Sequence, residues 1–251
     1  MRILLLSDIH GNLEALEAAL DAAPAYDRLI NLGDVVGYGG SPNEVIQRVR
    51  DLGAINIRGN HDKACSGLSD LEDFNPIAAL AAYWTRQVLT PENLEWLRAL
   101  PEGPVRRRDI PGVQFVHGSP LDEDEYMIGV HDALESLVMS PVAITFFGHT
   151  HLQGGFSLQG GAAEEVRPGI GLSDAVARRN ITLLPNTRYA INPGSVGQPR
   201  DGDWRAGFAL FNTATNTITF YRIPYDIQSA QQRILDARLP ERLAARLAVG
   251  R

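Results

Sequence analysis

Five times along this chain a short apolar stretch ends in side chains of the metal-binding kind: Asp8-Ile9-His10, Gly33-Asp34, Gly59-Asn60-His61-Asp62, His117-Gly118 and Gly148-His149-Thr150-His151. These endings constrain the fold more than any other feature. In open α/β sheets, ligand sites gather just beyond the carboxyl ends of the strands. Five strands that each deliver Asp, His or Asn at their ends therefore predict one sheet edge where those side chains meet. A lone Asp-x-His at a strand end is usually a cap or a surface feature; five in succession are hard to obtain by chance. Within the pairs Asp8/His10 and His149/His151, extended backbone continuing past the strand would point both members the same way.

The intervening segments supply the rest of the architecture. Arg2–Ser7, Arg28–Leu32 and Ala54–Ile57 read as strands. Between them, Asn12–Ala22 carries Leu13, Leu16 and Leu20 at helical spacing. Ser41–Asp51 reads as a helix with Ser41 as N-cap, Pro42 in the first position and Glu44 completing a capping box. This β-α-β alternation predicts a largely parallel sheet covered by helices. A helical insert over residues 70–100 follows, split near Thr90-Pro91, with Trp84 and Trp96 packing it onto the sheet. Val113–His117 and Val142–Gly148 read as strands around a helix at Gly129–Met139. Gly154–Arg188 is glycine-rich and weakly patterned, so hairpins and mobile loop are expected. Tyr189–Asn192, Gly207–Phe211 and Thr217–Ile223 read as antiparallel strands whose exposed edges could pair. Asp226–Leu247 reads as helical, divided at Pro240. No repeat or low-complexity linker divides the 251 residues, which favours one domain over 1–251.

Composition narrows the function. The net charge of −7 comes without any basic block, against sequence-independent or stable nucleic-acid binding. It does not exclude a phosphate substrate, because a bound cation can dominate a site's local charge. The single cysteine, Cys65, rules out a disulfide within the chain and fits a reducing compartment. The first apolar run is too short for a secretory signal, and nothing approaches a membrane span. A cytoplasmic protein without membrane partners is expected. The sequence leaves the oligomeric state open.

The candidate ligands Asp8, His10, Asp34, Asn60, His117, His149 and His151 offer carboxylate, imidazole and amide oxygen, with no thiolate. Such a set suits Mn, Fe, Co or Zn better than a closed cysteine site. Seven donors exceed the needs of one four-coordinate ion and fit two ions bridged by a carboxylate.

The order DIH…GD…GNHD…HG…GHTH resembles the calcineurin-like metallophosphoesterase superfamily. The stretch from Asn192-Pro193-Gly194-Ser195-Val196-Gly197 to Pro199-Arg200-Asp201-Gly202-Asp203 resembles its small bacterial and archaeal phosphodiesterase branch. The resemblance spans Arg2 to about Ile223. It implies an α/β fold: a four-layer βαβα sandwich of two mostly mixed sheets flanked by helices. It implies two divalent ions, Mn foremost, with Fe, Zn, Co or Ni as alternatives. One ion falls to Asp8, His10, Asp34 and His151; the other to Asp34, Asn60, His117 and His149. It implies hydrolysis of phosphodiesters or small phosphomonoesters, nucleotides foremost, through in-line attack by a metal-bridging hydroxide. His61, not a ligand in this pattern, faces the substrate as acid or phosphate binder. Two divalent ions outweigh Asp8, Asp34 and that hydroxide by one positive charge, so a small phosphate ester is attracted even to an acidic protein.

There is one departure. Protein serine/threonine phosphatases resemble GDxVDRG at the second motif, whereas this chain has Gly37-Tyr38 in place of the Asp-Arg pair. A protein phosphatase role is thus disfavoured, and the partner that orients His61 is unassigned; Asp62 can cap the following turn instead. Asn12 reads first as an N-cap, Arg58 and Arg200 as structural or solvated arginines, and Asn192 and Ser195 as turn residues that could also sit at the site. Cys65 reads as inert and His131 as exposed. The competing functions are a dinucleoside polyphosphate hydrolase and a non-catalytic scaffold like the retromer subunit of similar fold. The complete ligand set argues against the scaffold.

Overall fold

The computed structural model describes residues 1–72, 74–173 and 175–251. The helical insert and the weakly patterned stretch thus each include one residue outside the description. Two six-stranded mixed sheets pack face to face. The first has strand order β3-β2-β1-β11-β12-β9, from β1 (Arg2–Leu6), β2 (Arg28–Asn31), β3 (Ile55–Asn56), β9 (Ala177–Thr182), β11 (Ala206–Asn212) and β12 (Thr217–Ile223). The second runs β4-β5-β6-β10-β7-β8, from β4 (Val105–Arg107), β5 (Ile110–Phe115), β6 (Ile144–Phe146), β7 (Gly154–Gln159), β8 (Ala162–Val166) and β10 (Arg188–Asn192).

Alternation along β1 shows how the layers are held. Ile3 and Leu5 point into the space between the sheets and meet Ile30, Phe115, Phe146, Phe211 and Phe220. Leu4 and Leu6 point the other way, onto Leu16 and Ala19 of α1 (Leu13–Ala22) and Val45 and Val49 of α2 (Pro42–Asp51). A strand buried on both faces must be apolar along its buried length, as Ile3–Leu6 of β1 is. The outer face of the second sheet is covered by α6 (Val130–Met139), where Ala133 and Leu137 meet Phe147, Phe156 and Ala190. The layers therefore run helix, sheet, sheet, helix. Truncating a side chain such as Phe211 or Ile3 to Ala would cost about 2–5 kcal/mol, the usual penalty for a buried cavity.

The helical insert forms as α4 (Pro76–Val88) and α5 (Pro91–Arg98), broken where Thr90 caps α5 by accepting from Asn93 N. Trp84 and Trp96 are half-buried against the core on that side. The C-terminal helices α7 (Ile227–Asp236) and α8 (Glu241–Leu247) divide at Pro240. No helix among the described residues is long and apolar enough to cross a membrane.

Several expectations fail. Ser41 precedes α2, but its hydroxyl has no hydrogen-bond partner and makes no cap. Its N–H donates to Gly11 O at 3.0 Å, so the donor that Glu44 would have reached in a capping box is already taken. The three late strands do not form one antiparallel group: β10 lies in the second sheet, parallel to β6, because the chain crosses between sheets after Asn192. Nor are β11 and β12 edges, since β9 covers β12. The strand β4 carried no apolar signal; its burial is low and it pairs only along β5.

Candidate metal centre

All seven expected donors converge where parallel strands of both sheets end. Asp8 follows β1, Asp34 follows β2, Asn60 opens α3 (Asn60–Cys65) after β3, His117 follows β5, and His149 and His151 follow β6. The loops are laced together past the strands: Asp8 N donates to Gly33 O at 3.0 Å and His10 N to Asp34 O at 2.9 Å.

The side chains form two groups able to hold a cation. Asp8, His10, Asp34 and His151 make one; Asp34, His117 and His149 make the other, so Asp34 belongs to both. Asn60 joins the second group through its Oδ1, 3.2 Å from His117 Nε2. Extended backbone does not bring this about. Asp8, His10, Asp34, His149 and His151 all have positive φ, between 51° and 65°. His149 and His151 part to different groups, so alternation past the strand does not hold. Left-handed backbone in non-glycine residues is strained and gathers at functional sites. Close approach demands glycine as well: a Cβ on Gly59 would stand 2.1 Å from Asp34 Oδ1.

Four imidazoles are aimed by backbone carbonyls. Nδ1 of His10 donates to Val36 O (3.1 Å), Nδ1 of His117 to Leu32 O (2.8 Å) and Nδ1 of His151 to Gln198 O (2.5 Å); His149 uses Nε2, toward Asp124 O at 3.1 Å. A proton on that nitrogen leaves a lone pair on the other, directed inward. The result is that His10 Nε2 and His151 Nε2 face each other at 3.1 Å, two acceptors with nothing to donate between them. Asp8 Oδ2 and Asp34 Oδ2 are buried without a hydrogen-bond partner. Buried carboxylate oxygens and opposed lone pairs cost free energy unless a cation satisfies them, so the donors fit a divalent metal.

The protonation pattern agrees. Burial drives His10 and His151 well below the ordinary imidazole value and takes His149 down to about 3, which leaves all three as neutral donors. Burial and then the neighbouring Asp34 push Asp8 up to about 6, with His117 opposing. Burial would also raise Asp34, but His117 and His61 hold it well below the carboxylate range. Burial alone would lower His117; Asp34 and Asp8 override it and raise that imidazole to about 10. A proton on His117 thus meets the charge of Asp34 when no cation is bound.

His61 stands beside the groups, its ring 4.9 Å from that of His10 and 4.3 Å from that of Tyr38. Its Nδ1 is buried without a partner, and burial lowers its pKa to about 4. Asp62 does not orient it: its carboxylate caps α3 at Gly59 N and accepts from Val36 N, each at 3.1 Å. Gly37 leaves no room for the Asp of that motif, because a Cβ there would stand 2.5 Å from His61 Nδ1.

The remaining expectations divide. Asn12 caps α1, accepting from Ala15 N at 3.1 Å. Arg58 is structural, paired with Glu123 at 2.6 Å. His131 is exposed on α6. Cys65 is buried, and burial and then Asp62 push its thiol up, as suits an inert residue. Asn192 and Ser195 do support the site: Asn192 Nδ2 donates to Gly148 O (2.7 Å) and Ser195 Oγ to Asp8 O (2.8 Å), bracing two ligand loops. Arg200 also lies here. Its Nη2 reaches Gln198 Oε1 at 3.1 Å and Tyr38 Oη at 3.5 Å, and its buried Nε lacks a partner. Tyr126, stacked on His149 with ring centroids 3.7 Å apart, was not foreseen, because the acidic segment around it has no periodicity.

A cleft of about 310 Å³ opens onto the second group, lined by Asn60, His61, His149, Tyr126, Phe74 and Lys63. A separate groove of about 500 Å³ behind Thr150 touches none of the seven donors.

This two-sheet sandwich with Asp and His gathered at its strand ends defines the metallophosphoesterase class of fold. Residues 1–216 match the calcineurin-like phosphoesterase superfamily domain, and the chain belongs to that superfamily. It is 36% identical over 253 residues to an uncharacterized protein of Methanocaldococcus jannaschii, covering 99% of this chain and 98% of that one. Among solved structures, a metallophosphoesterase from Sphaerobacter thermophilus is similar at 38% identity and a TM-score of 0.83, covering 100% of this chain and 99% of the other. A hypothetical protein from Pyrococcus horikoshii shares the fold at 22% identity and a TM-score of 0.77, covering 100% and 98%.

Proposed function

We propose that this protein is a metal-dependent phosphoesterase acting on phosphodiesters or small phosphomonoesters, with nucleotides the favoured class. The observation that supports this most is Asp34, a buried carboxylate that belongs to both ligand groups and keeps one oxygen free of hydrogen bonds. Asp8, His10, Asp34 and His151 would hold one ion, and Asp34, Asn60, His117 and His149 the other. Manganese is favoured on the family resemblance; the oxygen and nitrogen donors themselves admit Fe, Zn, Co and Ni as well. Two divalent ions held by these residues would supply an activated water and charge stabilisation for in-line displacement at phosphorus.

The chain's own groups do the rest. The carbonyls of Val36, Leu32, Gln198 and Asp124 fix the tautomers and directions of the four imidazoles. Arg200 brings close to the site, from the loop after β10, the guanidinium that the second motif lacks, its own backbone N–H on His151 O at 3.3 Å, and its positive charge would favour a phosphate ester there. His61, at the cleft wall, is placed to hydrogen-bond or protonate the departing oxygen. Phe74 and Tyr126 give the cleft an aromatic lining suited to a flat leaving group.

The test is to strip the protein with chelator, restore one metal at a time, and assay bis-p-nitrophenyl phosphate beside p-nitrophenyl phosphate. Metal-dependent release from the diester, lost in Asp34→Asn, is expected. Release from the monoester alone would redirect the reading to a phosphatase. Silence on both with two ions bound, across Mn, Co, Ni, Zn and Fe, would overturn it. His61→Ala should lower turnover by about 10²–10⁴-fold, the usual worth of a general acid, with both metals retained by elemental analysis.

A further inference from the structure

Residues 118–128 contain no helix or strand, yet this stretch carries the two groups that fix His149. The carbonyl of Asp124 accepts from His149 Nε2 at 3.1 Å, and the ring of Tyr126 lies on the imidazole with centroids 3.7 Å apart. Backbone pairing does not tie the stretch to the rest of the fold. Between Ser119 and Glu125 the backbone hydrogen bonds of the described residues close within the loop, Ser119 N to Asp122 O at 2.9 Å and Glu125 N to Asp122 O at 3.3 Å. The loop also doubles back on Gly118, next to His117, where a Cβ would stand 2.5 Å from the Glu123 carbonyl. Asp122, Glu123, Asp124 and Glu125 follow one another in it, a run of like charge that repels itself and favours water. The side chain of Glu123 is nevertheless only 13% exposed.

Two cations that flank Asn60 draw Glu123 in. Arg58, just before α3, takes it with two donors, Nη2 to Oε1 at 2.6 Å and Nε to Oε2 at 3.3 Å. Lys63, inside α3, donates to Glu123 Oε1 at 2.9 Å and also to Asp124 Oδ2. Lys63 is the only lysine in the sequence. It lines the cleft beside Asn60 and His61, where an ammonium group would be expected to meet a substrate phosphate, but these two carboxylates claim it. The side chains of Arg58 and Lys63 are 16% and 18% exposed, so salt screens these pairs less than pairs on the open surface.

We propose that Glu123 is a positioning residue for the second donor group: by tying the 118–128 loop to Arg58 and Lys63, it holds His149 in place opposite Asn60. The proposal rests on the two-ion reading above and adds what sets the affinity of one ion of the two. Glu123 is not one of the seven donors. It acts through Asp124 O and Tyr126, which aim His149, and through the start of α3, which carries Asn60. In the first group, His10 and His151 are aimed by Val36 O and Gln198 O, neither of which belongs to this loop. The two ions should therefore answer differently to the loss of Glu123. Groups that orient a metal ligand are typically worth roughly 10–100-fold in metal affinity.

The test needs no substrate. The full-length, chelator-treated protein is titrated calorimetrically with Mn²⁺, and bound ions are counted by elemental analysis. Glu123→Gln, which keeps the shape of the side chain and removes its charge, should weaken one of the two binding steps about tenfold and leave the other unchanged. The weakened step must be the one that His149→Ala removes. Lys63→Met should weaken the same step by less, because Arg58 still holds Glu123; with melting temperatures recorded, it decides the matter should Glu123→Gln fail to fold. Equal weakening of both steps would show that Glu123 serves the fold alone, and no change in either would show that the loop stands without it; each result overturns the proposal. A wild type that takes up a single ion would sink the two-ion reading and the role of Glu123 with it. Two ions, the selective loss in Glu123→Gln, and no hydrolysis of either nitrophenyl ester would sink the phosphoesterase reading and leave Glu123 in its role.

Discussion

Two buried clusters of charge in this protein solve the same problem in opposite ways. Behind the metal centre, Asp203 receives Arg205 through Nε at 2.9 Å and Nη2 at 2.6 Å, and Arg222 joins from β12. Arg205 is fully buried, and its other donors go to Ser173 Oγ and the carbonyls of Gly171 and Ala175. Every charge there has its counter-charge in the chain. At the strand ends, Asp8 and Asp34 are equally buried, yet among the described residues no Lys or Arg pairs with either; their neighbours are the imidazoles of His10, His117 and His151, and each keeps an orphan oxygen. The first cluster is closed and serves the fold. The second, the open one, has only imidazoles to answer its carboxylates, and a cation would complete it. Stability and function are therefore written into different carboxylates, and substitutions should separate them.

The largest effect belongs to the open cluster. Asp34→Asn should abolish metal-dependent turnover and reduce the number of bound ions, read by elemental analysis after gel filtration; an active, fully loaded variant would refute the shared-ligand assignment. Next comes the closed cluster. Asp203→Asn leaves Arg205 and Arg222 without their shared carboxylate and should cost about 3–5 kcal/mol, the typical penalty for breaking a buried ion pair from one side. Urea unfolding would show it, and a loss below 1 kcal/mol would mean the network is not the structural tie described.

The sharpest contrast is smaller in size and opposite in sign. In chelator, Asp8→Asn should make the protein more stable by about 0.5–2 kcal/mol, the usual size of a single stabilising substitution. Burial and Asp34 oppose the charge of Asp8, and the amide oxygen of Asn can keep the bond that Asp8 Oδ1 accepts from His149 N. The same variant should lose activity. Destabilisation of the metal-free protein by Asp8→Asn would erase the distinction between the clusters.

The open cluster was legible in the sequence and the closed one was not, for a physical reason. Metal chemistry admits few donor types, and each of Asp8, Asp34, Asn60, His117, His149 and His151 stands at the end of an apolar strand, so residue type and position report together. Asp203, Arg205 and Arg222 are ordinary surface-type residues whose burial depends on β11 and β12 packing behind the site, and no local pattern announces that. The same holds for Tyr126, which reaches His149 from an unpatterned acidic loop. One helix-covered sheet was foreseen from apolar periodicity, and the two-sheet sandwich from the family resemblance. The sheet to which β10 belongs was not, because Tyr189–Asn192 is equally apolar whichever partner it takes. Left-handed backbone at five of the candidate ligands was invisible for a related reason: Asp and His tolerate it only when surrounding contacts enforce it.

The least effect, and the most specific, concerns pH. Burial would raise the Asp203 carboxyl, but Arg205 and Arg222 outweigh it and hold the group below its ordinary value. A carboxyl depressed in the folded state adds stability that is fully present above its unfolded value, about 4, and is lost as pH falls through the folded one. Wild type and Asp203→Asn should therefore differ most near neutrality. Their unfolding free energies should converge as pH drops below the carboxylate range, because protonation then removes from the wild type what the substitution removed already. Urea midpoints in chelator at a series of pH values would trace the two curves. A gap that stays constant down to acid pH would show that Asp203 acts through its hydrogen bonds alone, and that the closed cluster does not depend on charge.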